Sequence, residues 1–223
     1  YAMLSHKWED DDSEPLYEHI SSALRFQREP RGMIKLRRFL RTARYSYYQW
    51  AWSDTCCIDK TSSSELHESI TSMFSWYKNS AITIIYLSDV TASSPDALML
   101  SVWFKRGWTL QEMLAPSVIR FYKQDWTPYN AAPMDNGKVV NDKEDETMLK
   151  LLGRVTGVDR DSLVKFAPGR ANVRQKMAWA SKRSTKRPED IAYCLMGIFG
   201  VSIPVLYGRA DRDLAFGRLL AEI

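Results

Sequence analysis

The residues of this chain that could do chemistry gather at a few points. They are the run Ser5-His6-Lys7-Trp8-Glu9 near the start, Asp54 with Asp59 and Lys60, Ser88-Asp89, and the segment "SVWFKRGWTLQEMLAP" at 101–116, which carries Arg106, Trp108 and Glu112. A lone carboxylate among tryptophans and cations reads in two ways: as a solvated charge on a helix, or as a group held in a pocket where developing positive charge needs an anion. His6 and Cys57 raise a thiolate nucleophile, which needs a nearby base. Cys56 and Cys57 fall, however, in a stretch predicted to be a buried strand, where cysteine acts as a small hydrophobe. The three histidines, His6, His19 and His67, have no metal-ligand spacing with the cysteine pair, so no metal is expected. Neither G-x-G-x-x-G nor G-x-x-x-x-G-K-[ST] occurs, which disfavours a Rossmann or P-loop nucleotide site.

These groups must be positioned by something, and the first half of the chain alternates strand and helix. "YAMLSH" is a short apolar run, and "LYEHISSALRF" repeats Leu16, Ile20 and Leu24 at helical spacing behind Ser13 and Pro15. "RGMIKLRRFLRTARYSYY" spaces Ile34, Leu36, Phe39, Leu40 and Ala43 along an amphipathic helix whose Arg37, Arg38, Arg41 and Arg44 read as a solvated face. "YQWAWSDTCCID" is apolar until Asp54, as in a strand covered on both faces. Ser62 with Glu65 forms a capping box before the face Leu66, Ile70, Met73 or Phe74, and Tyr77. "AITIIYLSDV" and "SVIRFYKQDW" complete the predicted strands. Alternation of this kind predicts a parallel sheet with helices on both faces, and ligands of such sheets gather at the strands' carboxyl ends, where the residues above lie. Beyond residue 126 the pattern changes. "NAAPMDNGKVVNDKEDE" reads as an exposed polar insertion with a turn at "DNG", and helices follow in "TMLKLLGRVTG", "NVRQKMAWASKR", "PEDIAYCLMGIFG" and "RDLAFGRLLAEI".

Composition sets the bounds. The 223 residues are 45% hydrophobic, enough for a proper core, and the 8 tryptophans suit concavities or partner surfaces. A net charge of +4 is too mild to argue for nucleic acid, which is kept only as a third reading through the arginine stripe. The 3 cysteines are not a disulfide framework and point to a reducing, cytoplasmic setting. No apolar run is long enough to span a bilayer. The start, without an initiator methionine or leader, reads as that of a fragment.

Six ordered motifs, "AMLSHKW", "DTCCIDK", "SMFSWY", "YLSDV", "RGWTLQEMLAP" and "RPEDIAYCLMGIFGVSIPVLYG", resemble the fungal heterokaryon-incompatibility (HET) domain across nearly the whole chain. The HET domain in turn is distantly similar to the TIR domain: "LSHKWED" matches L-S-F-R-G-E-D, and "GWTLQE" matches W-C-x-x-E. The pattern differs in having Lys7 for arginine, Trp8 for glycine and Thr109 for cysteine. The resemblance implies a TIR/flavodoxin-like α/β core at residues 1–126, with a polar insertion and helical extension at 127–223 packed on it. It implies non-self recognition ending in cell death, often beside nucleotide-binding and repeat modules.

In TIR domains that cleave NAD, the glutamate of W-C-x-x-E is catalytic, which makes Glu112 its counterpart. NAD, or a related dinucleotide, is then substrate, and no cofactor is expected. Expulsion of neutral nicotinamide needs no general acid, so one carboxylate is sufficient. Trp8 and Trp108 are candidate walls, Lys7 and Arg106 candidate diphosphate contacts, and Ser5, His6 and Asp54 the remaining substrate-binding candidates. Trp108 reads equally as core packing, Arg106 as a structural ion partner and Asp54 as a turn cap. Glu65 and Glu68 are fallback carboxylates. Activity is expected on clustering through self-association. The rival reading is a non-catalytic adaptor in which the same loops make homotypic contacts.

Overall fold

The computed structural model describes residues 1–9, 13–21, 31–131, 140–208 and 211–223. Leu24 and the "DNG" turn at 135–137 lie outside these residues. The first half folds as β1 (Ala2–His6), α1 (Tyr17–Ser21), α2 (Arg31–Tyr45), β2 (Ala51–Trp52), α3 (Ser63–Lys78), β3 (Ile82–Tyr86), α4 (Pro95–Leu100), a 3-10 turn (Val102–Lys105), α5 (Thr109–Leu114) and β4 (Ile119–Tyr122). The remainder forms α6 (Glu146–Thr156), α7 (Arg160–Val164), α8 (Val173–Ala180), α9 (Asp190–Tyr193), α10 (Met196–Phe199) and α11 (Arg212–Glu222).

The four strands make one parallel sheet in the order β2-β1-β3-β4, with β1 and β3 in register from Ala2–Ile82 to His6–Tyr86. This is the α/β architecture expected, and its order reverses beside β1, which is where doubly wound sheets open a crevice. The side chains of each strand alternate between two faces. Ala2, Leu4, Ile82, Ile84 and Tyr86 pack with Leu36, Phe39 and Ala43 of α2. On the other face Met3 meets Met73 and Tyr77 of α3. Ile85, Ile119 and Phe121 there join Phe74 of α3 and Leu110, Met113 and Leu114 of α5.

Three expectations are corrected. The α2 apolar face is narrower than the sequence pattern: Leu36, Phe39 and Ala43 are buried, whereas Ile34 and Leu40 are exposed because the sheet covers only the i, i+3, i+7 stripe. The strand predicted through "YQWAWSDTCCID" is only two residues long, pairs with β1 alone and is half-buried. Being at the sheet edge it needs no second partner, and Ser53 to Cys57 leave it as a turn closed by the Cys57 N–H to Ser53 carbonyl bond of 2.9 Å. Finally, the polar 141–143 segment is buried rather than exposed. The Asn141 side chain accepts from the Ile119 N–H at 3.1 Å, Asp142 accepts from the Phe121 N–H at 2.7 Å, and the Asp142 N–H donates to the Ile119 carbonyl at 2.9 Å. Thus the segment supplies partners for the free edge of β4, which would otherwise invite strand pairing.

The helical extension shares a core with the sheet: Trp179, Tyr193, Phe199 and Leu219 belong to the same buried cluster as Phe74, Ile85 and Leu110. Gly197 of α10 shows how close the approach is, since a Cβ there would stand 2.2 Å from that of Phe74. The single helix expected over "PEDIAYCLMGIFG" is two short ones, broken where the Leu195 N–H bonds the Ala192 carbonyl three residues back, at 3.0 Å. Among the described residues no helix is long and apolar enough to cross a membrane.

Candidate functional site

Glu112 emerges from α5 beneath the carboxyl end of β1. Its Oε2 accepts a hydrogen bond from the Ser5 hydroxyl, and Ser5 Oγ in turn accepts from the Trp103 indole N–H at 2.9 Å. Both Ser5 and Trp103 are fully buried, so this relay fixes the carboxylate from below. Burial, followed by the charge of Asp54, pushes the Glu112 carboxyl up to about 8 against the Ser5 bond and the charges of Arg106 and Arg183. A carboxylate this perturbed is a mark of functional sites.

Glu112 lines a cavity of about 610 Å3. On one wall, Asp54 accepts from the Trp8 indole N–H at 2.7 Å and lies 3.2 Å from His6 Nε2. Burial, followed by the Lys35 charge, lowers the His6 pKa against the bond and charge of Asp54, and among the described residues its Nδ1 has no hydrogen-bond partner. Burial raises the Asp54 carboxyl, but the bonds and charges of His6, Lys60 and Trp8 outweigh it and hold it below its ordinary value. Lys60 lies over the Trp8 ring, its Nζ 3.8 Å from the centroid. Below this wall Glu14, which also lines the cavity, is buried in an ion pair with Lys35.

The opposite wall comes from the extension. The Trp108 indole N–H donates to Asp190 Oδ2 at 3.0 Å, the Tyr207 hydroxyl donates to Asp190 Oδ1 at 2.5 Å, and Arg187 stacks on Tyr207 at 4.3 Å. This wall is moored by Arg183, whose buried guanidinium donates to Thr109 Oγ1 at 2.9 Å and to the Arg106 carbonyl at 3.0 Å. Gly107 makes the junction possible: its N–H donates to the Ser184 carbonyl at 2.9 Å, and a Cβ there would stand 2.5 Å from Thr185 Cγ2. Gly107 is therefore a point of close chain approach.

Of the residues singled out in the sequence, His6, Trp8, Asp54, Lys60, Arg106, Trp108 and Glu112 line this one cavity. Ser5 lies behind it as a positioning group, and Lys7 is exposed and does not line it. Trp108 lines the cavity and also packs against the buried cluster of Met3, Ile58, Met73 and Tyr77. Asp89 instead ties down the 3-10 turn, accepting from Ser101 Oγ and the Val102 N–H. Glu65 reaches the Asp59 N–H at 2.8 Å, and Glu68 is exposed; neither lines the cavity. Nor do Cys56 and Cys57. Asp190, Tyr207 and Arg187 were not singled out. Asp190 is bonded to Trp108 across 82 residues of sequence, and only an indole needing an acceptor hints at such a partner.

The family described as Heterokaryon incompatibility protein (HET) matches residues 1–102, so the chain carries a heterokaryon-incompatibility domain. Beyond that segment the likeness continues. Over 232 aligned positions the chain is 34% identical to vegetative incompatibility protein HET-E-1 of Podospora anserina, the match covering all of this chain. The chain spans 16% of the length of that relative. No solved structure matches the chain.

Proposed function

We propose that this chain is the cell-death effector domain of a fungal non-self recognition protein and that, when clustered, it hydrolyses NAD with Glu112 as the catalytic residue. The observation that carries this reading is the Glu112 carboxylate, fixed by Ser5 and facing a tryptophan-lined cavity of about 610 Å3, a volume suited to a small ligand. The bond between nicotinamide nitrogen and ribose C1′ breaks, and its electron pair leaves with nicotinamide. Water adds at C1′ and its proton passes to solvent. Positive charge grows on the ribose in the transition state, where one ionised carboxylate is the required stabiliser. A pyridinium bound beside Glu112 favours its ionised form, because an opposite charge in contact lowers a carboxyl pKa.

Trp8 and Trp108 keep their rings on the cavity through the bonds of their N–H groups to Asp54 and Asp190, so they serve as stacking walls. In this reading the domain works in the cytoplasm beside further modules, as its small share of the HET-E-1 length would allow. Self-association is the switch. The reading is tested by nicotinamide release from the domain clustered on beads, with Glu112→Ala and Glu112→Gln beside wild type. Release by the wild type alone supports it, and a clustered, folded wild type that leaves NAD intact refutes it.

One observation favours the adaptor reading: Tyr45, Tyr47 and Trp50 are 64%, 83% and 76% exposed, next to the short edge strand β2. Aromatic side chains so exposed suit an interface between copies. If Tyr47→Ser with Trp50→Ser abolishes killing and self-association while Glu112→Gln does not affect killing, adaptor function replaces catalysis.

A further inference from the structure

Four cations, Lys60, Arg106, Lys186 and Arg187, line the cavity, and two of them, Lys60 and Arg187, lie on aromatic rings in different parts of the chain. Lys60 comes from the loop after β2 and lies on the Trp8 ring, where one of its Nζ donors is taken by the Thr55 carbonyl at 3.3 Å. Arg187 comes from the extension and lies on the Tyr207 ring. Among the described residues neither is within salt-bridge distance of a carboxylate. The nearby Asp54 and Asp190 are each already engaged by two side-chain donors. Burial is the first cause that lowers the Lys60 pKa, the charges of Asp54 and Glu14 oppose it, and the Arg187 charge adds a smaller lowering. Convergent like charges cost energy unless an anion joins them, and a flat guanidinium with an ammonium is the pairing that holds phosphate oxygens.

We propose that Lys60 and Arg187, which line the same cavity from the loop after β2 and from the extension, form an anion subsite that takes the diphosphate of a nucleoside-diphosphate ligand. This assignment rests on the reading of the cavity as a dinucleotide site, and it moves the diphosphate from Lys7, which is turned outward, to a pair that includes the extension. Each charged head already lies on an aromatic ring, so both are placed before the ligand arrives. The extension is then part of the binding site and not only its support.

The test is calorimetric titration of the intact chain with ADP-ribose, ADP and adenosine, using wild type, Lys60→Met, Arg187→Met and Arg187→Lys. All are checked by thermal unfolding, since both side chains sit at least partly in solvent. ADP-ribose and ADP should bind, each methionine variant should weaken both by about tenfold, and Arg187→Lys should recover part of the loss. Adenosine, without phosphate, should bind all four proteins alike. Undiminished ADP-ribose binding in both methionine variants overturns the subsite, as does wild type that binds no diphosphate. Titration needs no turnover, so it separates the two readings: ADP-ribose binding that depends on both cations upholds the subsite even if clustered protein leaves NAD intact. NAD cleavage with unchanged KM in both variants upholds hydrolysis and removes the subsite.

Discussion

Replacing Glu112 by glutamine should stabilise the protein as pH rises, because the cavity holds this carboxyl against ionisation. Its pKa is pushed from 4.5 to about 8, chiefly by burial and then by Asp54. Between these values the folded state keeps a proton that the unfolded chain has lost, so the stability linked to that proton is present at acid pH and disappears as pH climbs through 8. At about 1.4 kcal/mol for each pH unit, full ionisation costs roughly 5 kcal/mol. Glutamine keeps the shape and the acceptor for Ser5 but never ionises. Thermal unfolding from pH 5 to 9 should therefore show the gap between variant and wild type widening by about 4 kcal/mol, on the order of 8–16 °C in Tm for a chain this size. Two parallel curves across that range would show that Glu112 ionises like an exposed carboxylate, and the reasoning about its site would fail.

Other consequences are as direct. Ser5→Ala leaves the buried Trp103 indole N–H without its acceptor and should cost about 2 kcal/mol in urea denaturation, while moving the pH dependence of activity to higher pH by removing a bond that favours ionised Glu112. Gly197→Ala forces a methyl into Phe74 and should destabilise by about 1–3 kcal/mol, read as a lowered urea midpoint. Arg183→Met removes the donors that tie Thr109 and Arg106 to the extension. It should lower stability by about 3 kcal/mol and accelerate amide exchange at Gly107 and Ser184, whose backbone bonds close the same junction.

Much of this architecture was legible in the sequence. The central strands β1 and β3 announced themselves as apolar, partly β-branched runs because the sheet covers them on both faces, and the face of α3 followed from Ile70, Met73, Phe74 and Tyr77. The rule that ligands collect at strand carboxyl ends brought His6, Trp8, Asp54 and Glu112 to one cavity in advance. The length of β2 was not legible, since an edge strand is limited by its single partner and not by its composition. The buried polar run 141–143 was hidden for the opposite reason. Its polarity serves the unpaired backbone of β4, a tertiary need that local hydropathy does not register. The Asp190–Tyr207–Arg187 wall lay beyond any local pattern, because it meets Trp108 only after the chain has returned through the extension.

The central claim is that Glu112 acts as an ionised carboxylate on NAD, and its most direct test is kcat/KM for nicotinamide release by clustered domain between pH 6 and 9. With the free carboxyl titrating near 8, the wild-type value should climb about tenfold per pH unit and level off above pH 8, and Glu112→Gln should release no nicotinamide at any pH despite its greater stability. A flat profile, or a glutamine variant that cleaves NAD as fast as wild type, would contradict the account.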